Sequence, residues 1–289
     1  MTHPLKTAWV FPGQGSQTVG MGWDLLTTAT AKVRFEQAAD LLGWSVLEVC
    51  QQEELLFQTR YAQPCLFVVS AIVAELRQQR GETPDLVAGH SLGEFAALHV
   101  AGVFDFETGV QLVKQRAELM SKVSTGKMFA LIGCDRAHLE CQLQTVSDVV
   151  LANDNHPGQL VISGAEAAIE EVLAAVKTRK VVPLKVSGAF HSPFVAEAAT
   201  VFNQILATVE FQPAKIPVLS NVDPSPAIAV NELKSRLMRQ MTGSVRWRET
   251  ALRLHQEGIE RVVEVGPGQV LTNLIQYTCP DQLMLETTC

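Results

Sequence analysis

Apolar positions in the first half of this 289-residue chain follow two different periods. Short unbroken runs, Thr7-Ala8-Trp9-Val10-Phe11 and Leu86-Val87-Ala88, read as strands buried on both faces. Other apolar residues recur at helical spacing. Leu66, Val69, Val73 and Leu76 follow Pro64, with Gly81 just past the end, and Phe106, Val110, Val113, Ala117 and Met120 form a stripe after a capping Asp105. Strands alternating with amphipathic helices predict a parallel sheet with helices on its faces. Arg116 lies about 80° from the centre of the second stripe, at roughly 100° per residue, which places it on the shoulder between core and solvent.

From Met128 the texture changes. Residues 128–132 read as a strand, 136–144 as a helix, 149–152 and 160–163 as strands, 166–177 as a helix and 181–184 as a strand. That is βαββαβ, the ferredoxin-like order. The hinge-like stretches Ser124-Thr125-Gly126-Lys127 and Ser187-Gly188 bound it. The expected architecture is α/β, with a ferredoxin-like subdomain (126–188) inserted between two parts (1–125 and 189–289) of a larger parallel-sheet subdomain. A ligand cleft would lie between the two.

Composition narrows the function classes. A chain with 47% hydrophobic and 18% charged residues is long enough to bury a substantial core. A net charge of -7 and a pI near 5.5 argue against nucleic acid as a partner. No apolar run is long enough to cross a bilayer, and Met1-Thr2-His3-Pro4-Leu5-Lys6 lacks the features of a signal peptide, so a cytoplasmic location is expected. The six cysteines (Cys50, Cys65, Cys134, Cys141, Cys279 and Cys289) have no metal-ligand spacing and are expected to be buried free thiols. No metal site is expected, and repeats and low-complexity segments are absent.

Three motifs carry the candidate chemistry. In Gly89-His90-Ser91-Leu92-Gly93 a serine stands between glycines, after an apolar strand and before an amphipathic helix. This is the pattern of a nucleophile elbow, where the serine hydroxyl projects from a strained turn and the N–H of Leu92 points at the same spot. Phe11-Pro12-Gly13-Gln14-Gly15-Ser16-Gln17 follows the first strand as a loop with exposed amides, but it lacks the Lys-Ser/Thr ending of a nucleotide loop. Ser187-Gly188-Ala189-Phe190-His191-Ser192-Pro193 puts a histidine just before a helix that Ser192 can cap and Pro193 can open. His191 is the candidate general base for Ser91, and His90 reads as structural, bracing the elbow. Asp135, Asp148 and Asp154 all fall in the inserted subdomain, and none is an obvious third member of a triad.

FPGQGSQ, GHSLGEF and GAFHSP in this order and spacing resemble the malonyl-CoA:acyl carrier protein transacylases of fatty acid synthesis and their polyketide acyltransferase relatives. The resemblance runs over nearly the whole chain. It includes Arg116, the segment Asn153-Asp154-Asn155-His156-Pro157-Gly158-Gln159, and Glu264-Val265-Gly266-Pro267-Gly268. It implies an α/β-hydrolase-like large subdomain, a second oxyanion amide at Gln14 beside that of Leu92, and a backbone carbonyl of Gln240 orienting His191. It also implies that Gln63 lines the acyl pocket, that Arg116 holds a carboxylate, and that Phe190 crowds out α-branched acyl groups. Phe194-Val195, where many relatives have Leu-Met, departs from the pattern without removing a chemical group.

The expected activity is malonyl transfer from malonyl-CoA, through a malonyl-serine ester, to the phosphopantetheine thiol of holo-acyl carrier protein. The expected protein is a monomer without cofactor. A polyketide acyltransferase is the runner-up; a thioester hydrolase and a non-catalytic carrier-binding module are weaker alternatives. An acidic carrier needs a local basic patch, for which Arg179 and Lys180 are the candidates, with Arg246 and Arg248 on the opposite side.

Overall fold

The computed structural model describes residues 5–280 and 282–288. The N-terminal reading at Met1 to Pro4 and the thiol of Cys289 lie outside the described residues. Strand β1 (Thr7–Phe11) leads through α1 (Ala29–Leu42), α2 (Val46–Cys50), α3 (Glu53–Leu56) and α4 (Thr59–Gln79) to β2 (Leu86–Gly89), followed by α5 (Gly93–Val100) and α6 (Phe106–Ser121). Then come β3 (Lys127–Ile132), α7 (Arg136–Thr145), β4 (Val149–His156), β5 (Gln159–Gly164), α8 (Glu166–Ala175) and β6 (Lys180–Pro183). The chain closes with α9 (Ala196–Thr208), β7 (Val218–Ser220), β8 (Asp223–Ala227), α10 (Val230–Gln240), α11 (Trp247–Gln256), β9 (Arg261–Glu264), α12 (Val270–Thr278) and β10 (Met284–Thr287).

The large sheet has the order β10-β9-β1-β2-β7-β8, parallel except for the β8 edge. Its two faces feed separate cores. Trp9, Phe11 and Val87 pack with α1, α4, α5 and α6, while Ala8, Val10 and Ala88 pack with α11 and α12. This is why β1 and β2 read as unbroken apolar runs: both faces are covered.

Residues 127–183 form the second, antiparallel sheet in the order β4-β5-β3-β6, the ferredoxin-like arrangement. Alternation along β3 divides its side chains. Leu131 joins Leu139, Ile169 and Val172 of its own two helices, whereas Met128 and Ala130 join the core of the large subdomain. The subdomains are also stitched through backbone. Val245 accepts the N–H of Asp154 at 2.9 Å and donates to the carbonyl of Ala152 at 2.8 Å.

Three expectations need correction. The helix expected after Pro64 begins five residues earlier and runs through the proline. Residues Ala62 to Ala74 of α4 are all buried, and that tertiary burial outweighs one lost backbone hydrogen bond. Arg116 is not on a shoulder but buried, because α6 packs among α4, α1, α9 and α5, and Gln63 of α4 and Gln240 of α10 accept from its guanidinium. Of the thiols, Cys50, Cys65 and Cys279 are buried, but Cys134 is half-buried and Cys141, on the outer face of α7, is exposed.

Candidate active site

Ser91 occupies the turn between β2 and α5 with φ 49°, a left-handed conformation that side chains rarely adopt. The flanking glycines are there for space. A Cβ on Gly89 would lie 2.0 Å from the backbone of Gly93, and one on Gly93 would lie 1.9 Å from the carbonyl oxygen of Phe11. Asn221, just after β7, holds the turn by accepting the Ser91 N–H at 2.6 Å and donating to the carbonyl of Gly89 at 2.5 Å. The N–H groups of Leu92 and Gln14 have no hydrogen-bond partner among the described residues, and both residues line the same cleft as Ser91. A hydrogen bond from Gln14 Nε2 to the Thr59 hydroxyl at 3.1 Å ties the glycine-rich loop to the start of α4.

His191 also has a left-handed backbone, φ 55°, on the segment returning from the small subdomain. Ser192 accepts from Phe194 N–H and opens a 3-10 turn at Pro193–Val195 that runs into α9. The imidazole Nε2 is 2.8 Å from Ser91 Oγ. Its Nδ1 faces two carbonyl oxygens, Gln240 at 3.1 Å and Gly243 at 3.0 Å. Carbonyls only accept, so Nδ1 carries the proton and Nε2 is left as an acceptor for the serine hydroxyl. Burial, with lesser contributions from the Arg116 and His90 charges, lowers the His191 pKa to about 3, so the ring is neutral at physiological pH.

Arg116 Nη1 donates to Gln63 Oε1 at 2.6 Å, and Nη2 donates to Gln240 Oε1 at 3.1 Å and to Ser91 Oγ at 3.2 Å. The guanidinium also lies over the Phe95 ring, 5.5 Å from its centroid. Burial lowers its pKa to about 10, which leaves it charged at neutral pH. A cleft of about 480 Å³, open to solvent, is lined by Gln14, Gln63, Ser91, Leu92, Arg116, Phe190 and His191, with Met128, Leu184 and Val186 of the small subdomain as its other wall. A serine, a neutral base on it, two free amides and a buried cation are the parts needed to form an ester from an acyl group that carries a carboxylate. Among the described residues no group of three or more His, Cys, Asp or Glu side chains is placed to hold a metal ion.

The acyl transferase domain model matches residues 8–287. The chain belongs to the acyl transferase family. It is 57% identical over 278 residues to a malonyl CoA-acyl carrier protein transacylase of Synechocystis, covering 96% of this chain and 95% of that one. The crystal structure of the Synechocystis transacylase superposes with a TM-score of 0.96 over 98% of this chain and 97% of that one. A polyketide biosynthesis malonyl CoA-acyl carrier protein transacylase of Bacillus subtilis is 42% identical over 92% of this chain and 95% of its own. A malonyl-transacylase solved in complex with its type II polyketide synthase acyl carrier protein is 35% identical, with a TM-score of 0.91 over 98% of this chain and 94% of that one.

Within this acyl transferase, sequence reasoning left three neighbours of the site unnamed: Asn221, Glu94 and the carbonyl of Gly243. Asn221 and Gly243 come from the last third of the chain and reach Ser91 and His191 only through tertiary folding, so no local pattern marks them. Glu94 sits in the first turn of α5, where an acid usually faces water, yet it has no accessible surface. His90 braces as expected. Its Nε2 is 3.0 Å from Asn155 Oδ1 and its ring packs edge-on against Trp247. Arg179 and Lys180 are exposed at the edge of the small sheet, while Arg246 pairs with Glu249 and Arg248 with Asp154, so the charges proposed for the opposite side are already compensated. Asp154, held by Arg136 as well as Arg248, is a clamp between the subdomains and does not orient His191. Among the described residues no helix is long and apolar enough to cross a membrane.

Proposed function

We propose that this acyl transferase moves a malonyl group from malonyl-CoA to the phosphopantetheine thiol of acyl carrier protein, by way of a malonyl ester on Ser91. His191 Nε2 takes the hydroxyl proton as Ser91 Oγ bonds to the thioester carbon, and the N–H groups of Gln14 and Leu92 receive the oxyanion. The C–S bond breaks and the imidazolium returns the proton to the leaving CoA thiolate. The carrier's thiol then repeats the sequence in reverse. Thioester exchange is redox-neutral and thiolates leave readily, so an uncharged orienter for the base suffices and no cofactor is invoked. All the groups come from one chain, so the reading requires no second copy, and it is that of a cytoplasmic enzyme.

The observation that carries the substrate assignment is Arg116, a buried charged guanidinium within hydrogen-bond reach of the candidate nucleophile. A carboxylate paired there gains roughly 1.5–3 kcal/mol, and one left unpaired in the cleft is penalised further. Phe190, buried in the cleft wall, favours an unbranched malonyl group. Fatty acid synthesis is the pathway of this reading; the 57% identical Synechocystis transacylase is named for malonyl transfer without a polyketide role.

The test is intact-mass measurement after exposure to malonyl-CoA or acetyl-CoA. Wild-type protein should gain a malonyl adduct that Ser91→Ala lacks, and Arg116→Ala should load malonyl about tenfold to a hundredfold more slowly while acetyl loading is kept or raised. An adduct on Ser91→Ala protein would remove the nucleophile assignment, and an equal fall for both acyl groups would make Arg116 structural.

A further inference from the structure

Glu94 has no accessible surface and takes no part in the proposed reaction. Its Oε2 accepts the backbone N–H of Asn221 at 3.1 Å and Gln240 Nε2 at 3.0 Å. Burial raises its pKa above the ordinary carboxylate value, opposed by the hydrogen bonds from Gln240 and Asn221 and by the Arg116 charge, and its other oxygen, Oε1, has no hydrogen-bond partner among the described residues. Oε2, which meets both N–H donors, acts as an acceptor only.

The side-chain amide of Gln240, by contrast, has a donor end and an acceptor end. Its Nε2 donates to Glu94 and to the Ser91 carbonyl at 2.7 Å, which turns Oε1 toward Arg116 Nη2. Gln63 Oε1 receives Nη1 from the other side. The guanidinium is therefore suspended between two amide oxygens. Reversing the Gln240 amide would set an NH₂ group against a guanidinium N–H, donor against donor, and would release that side of the suspension.

We propose that Glu94 is a positioning residue for acyl-group selection: the accepting Oε2 of its carboxyl group fixes which end of the Gln240 amide faces Arg116 and so aims the guanidinium at the substrate's carboxylate. This rests on the reading that Arg116 binds the malonyl carboxylate. Glutamine at position 94 can offer its own NH₂ to Gln240 Oε1, and the fixed polarity of the chain from Glu94 through Gln240 to Arg116 is lost. Because Glu94 also holds the Asn221 backbone beside the elbow, a merely structural defect would slow all acyl groups alike. Selectivity separates the two roles.

The experiment measures kcat/KM for Ser91 loading by malonyl-CoA and by acetyl-CoA in wild type, Glu94→Gln, Glu94→Asp, Gln240→Leu and the double variant Glu94→Gln/Gln240→Leu. Taking both rates from one preparation cancels the folded fraction. Glu94→Gln should lower the malonyl-to-acetyl ratio about tenfold or more, chiefly through the malonyl KM, whereas Glu94→Asp, which keeps the carboxyl group, should stay within about threefold of wild type. On the Gln240→Leu background, Glu94→Gln should lower the ratio no further. The proposal is overturned by an unchanged ratio in Glu94→Gln, by an equal drop in Glu94→Asp, or by a drop on the Gln240→Leu background as large as in wild type. Wild-type protein that fails to load malonyl, or an intact ratio in Arg116→Ala, would overturn the underlying assignment instead.

Discussion

His191 is buried in the cleft wall, and both of its ring nitrogens have partners that suit the neutral ring. Its pKa of about 3 has two consequences of opposite sign. For the reaction, the base is unprotonated far into acid, so kcat/KM for malonyl loading should stay flat from pH 8 to pH 5.5; a half-fall near 6.5, the ordinary histidine value, would contradict this placement. For stability, the unfolded ring takes up a proton near 6.5 that the folded ring refuses. The contribution of the buried neutral ring is therefore complete above that value and is lost as pH falls from there toward about 3. Burial also lowers the His90 and His99 pKa values, which adds to acid instability in the same direction. Ser91 and His191 were legible because turn and cap signals flank them. Arg116 was legible as a residue type, but not as buried, since one helix's periodicity does not show how many neighbours cover it.

At the scale of elements, α6 carries Arg116 and is seated against α4, which carries Gln63. The seat is a glycine: a Cβ on Gly109 would come within 2.3 Å of the Phe67 ring. Gly109 and Arg116 are seven residues apart, two helical turns, so a displacement at one is felt on the same face at the other. Gly109→Ala should cost about 1–3 kcal/mol in overpacking, read from urea unfolding, and should slow malonyl loading more than acetyl loading. Unchanged stability and selectivity would show that Phe67 yields freely. The periodic helices and the βαββαβ segment were readable because their patterns are local. The start of α4 was misplaced because a proline usually interrupts a helix, and here packing from all sides prevails.

The whole molecule is two subdomains with a cleft between them, joined at residues 124–126 and 187–189 and welded beyond the cleft by the Val245 backbone bonds and the Asp154 ion pairs. In the proposed reading this acidic chain receives an acidic carrier, which calls for a local excess of positive charge. Arg179 and Lys180, exposed on the small subdomain, supply it in the proposed reading. Arg179→Glu/Lys180→Glu should slow transfer to carrier protein several-fold at low salt, less at high salt, and leave loading from malonyl-CoA intact; loss of both half-reactions would sink this placement. The insertion itself was visible in the chain as a change of period between two hinges. The weld was not, since its partners, Ala152 and Asp154 on one side and Val245 and Arg248 on the other, are about ninety residues apart.

The amides of Gln14 and Leu92 hang from loops at the ends of β1 and β2, parallel neighbours in the register Phe11↔Gly89. Adjacent strands lie about 4.8 Å apart in any sheet, so the gauge of the proposed oxygen pocket is a lattice constant of the backbone. Arg116, Gln63 and Phe190 hang instead from helices and a linker. Exchanging these three can retune which acyl group is accepted while the width offered to the reacting carbonyl oxygen stays as the sheet sets it.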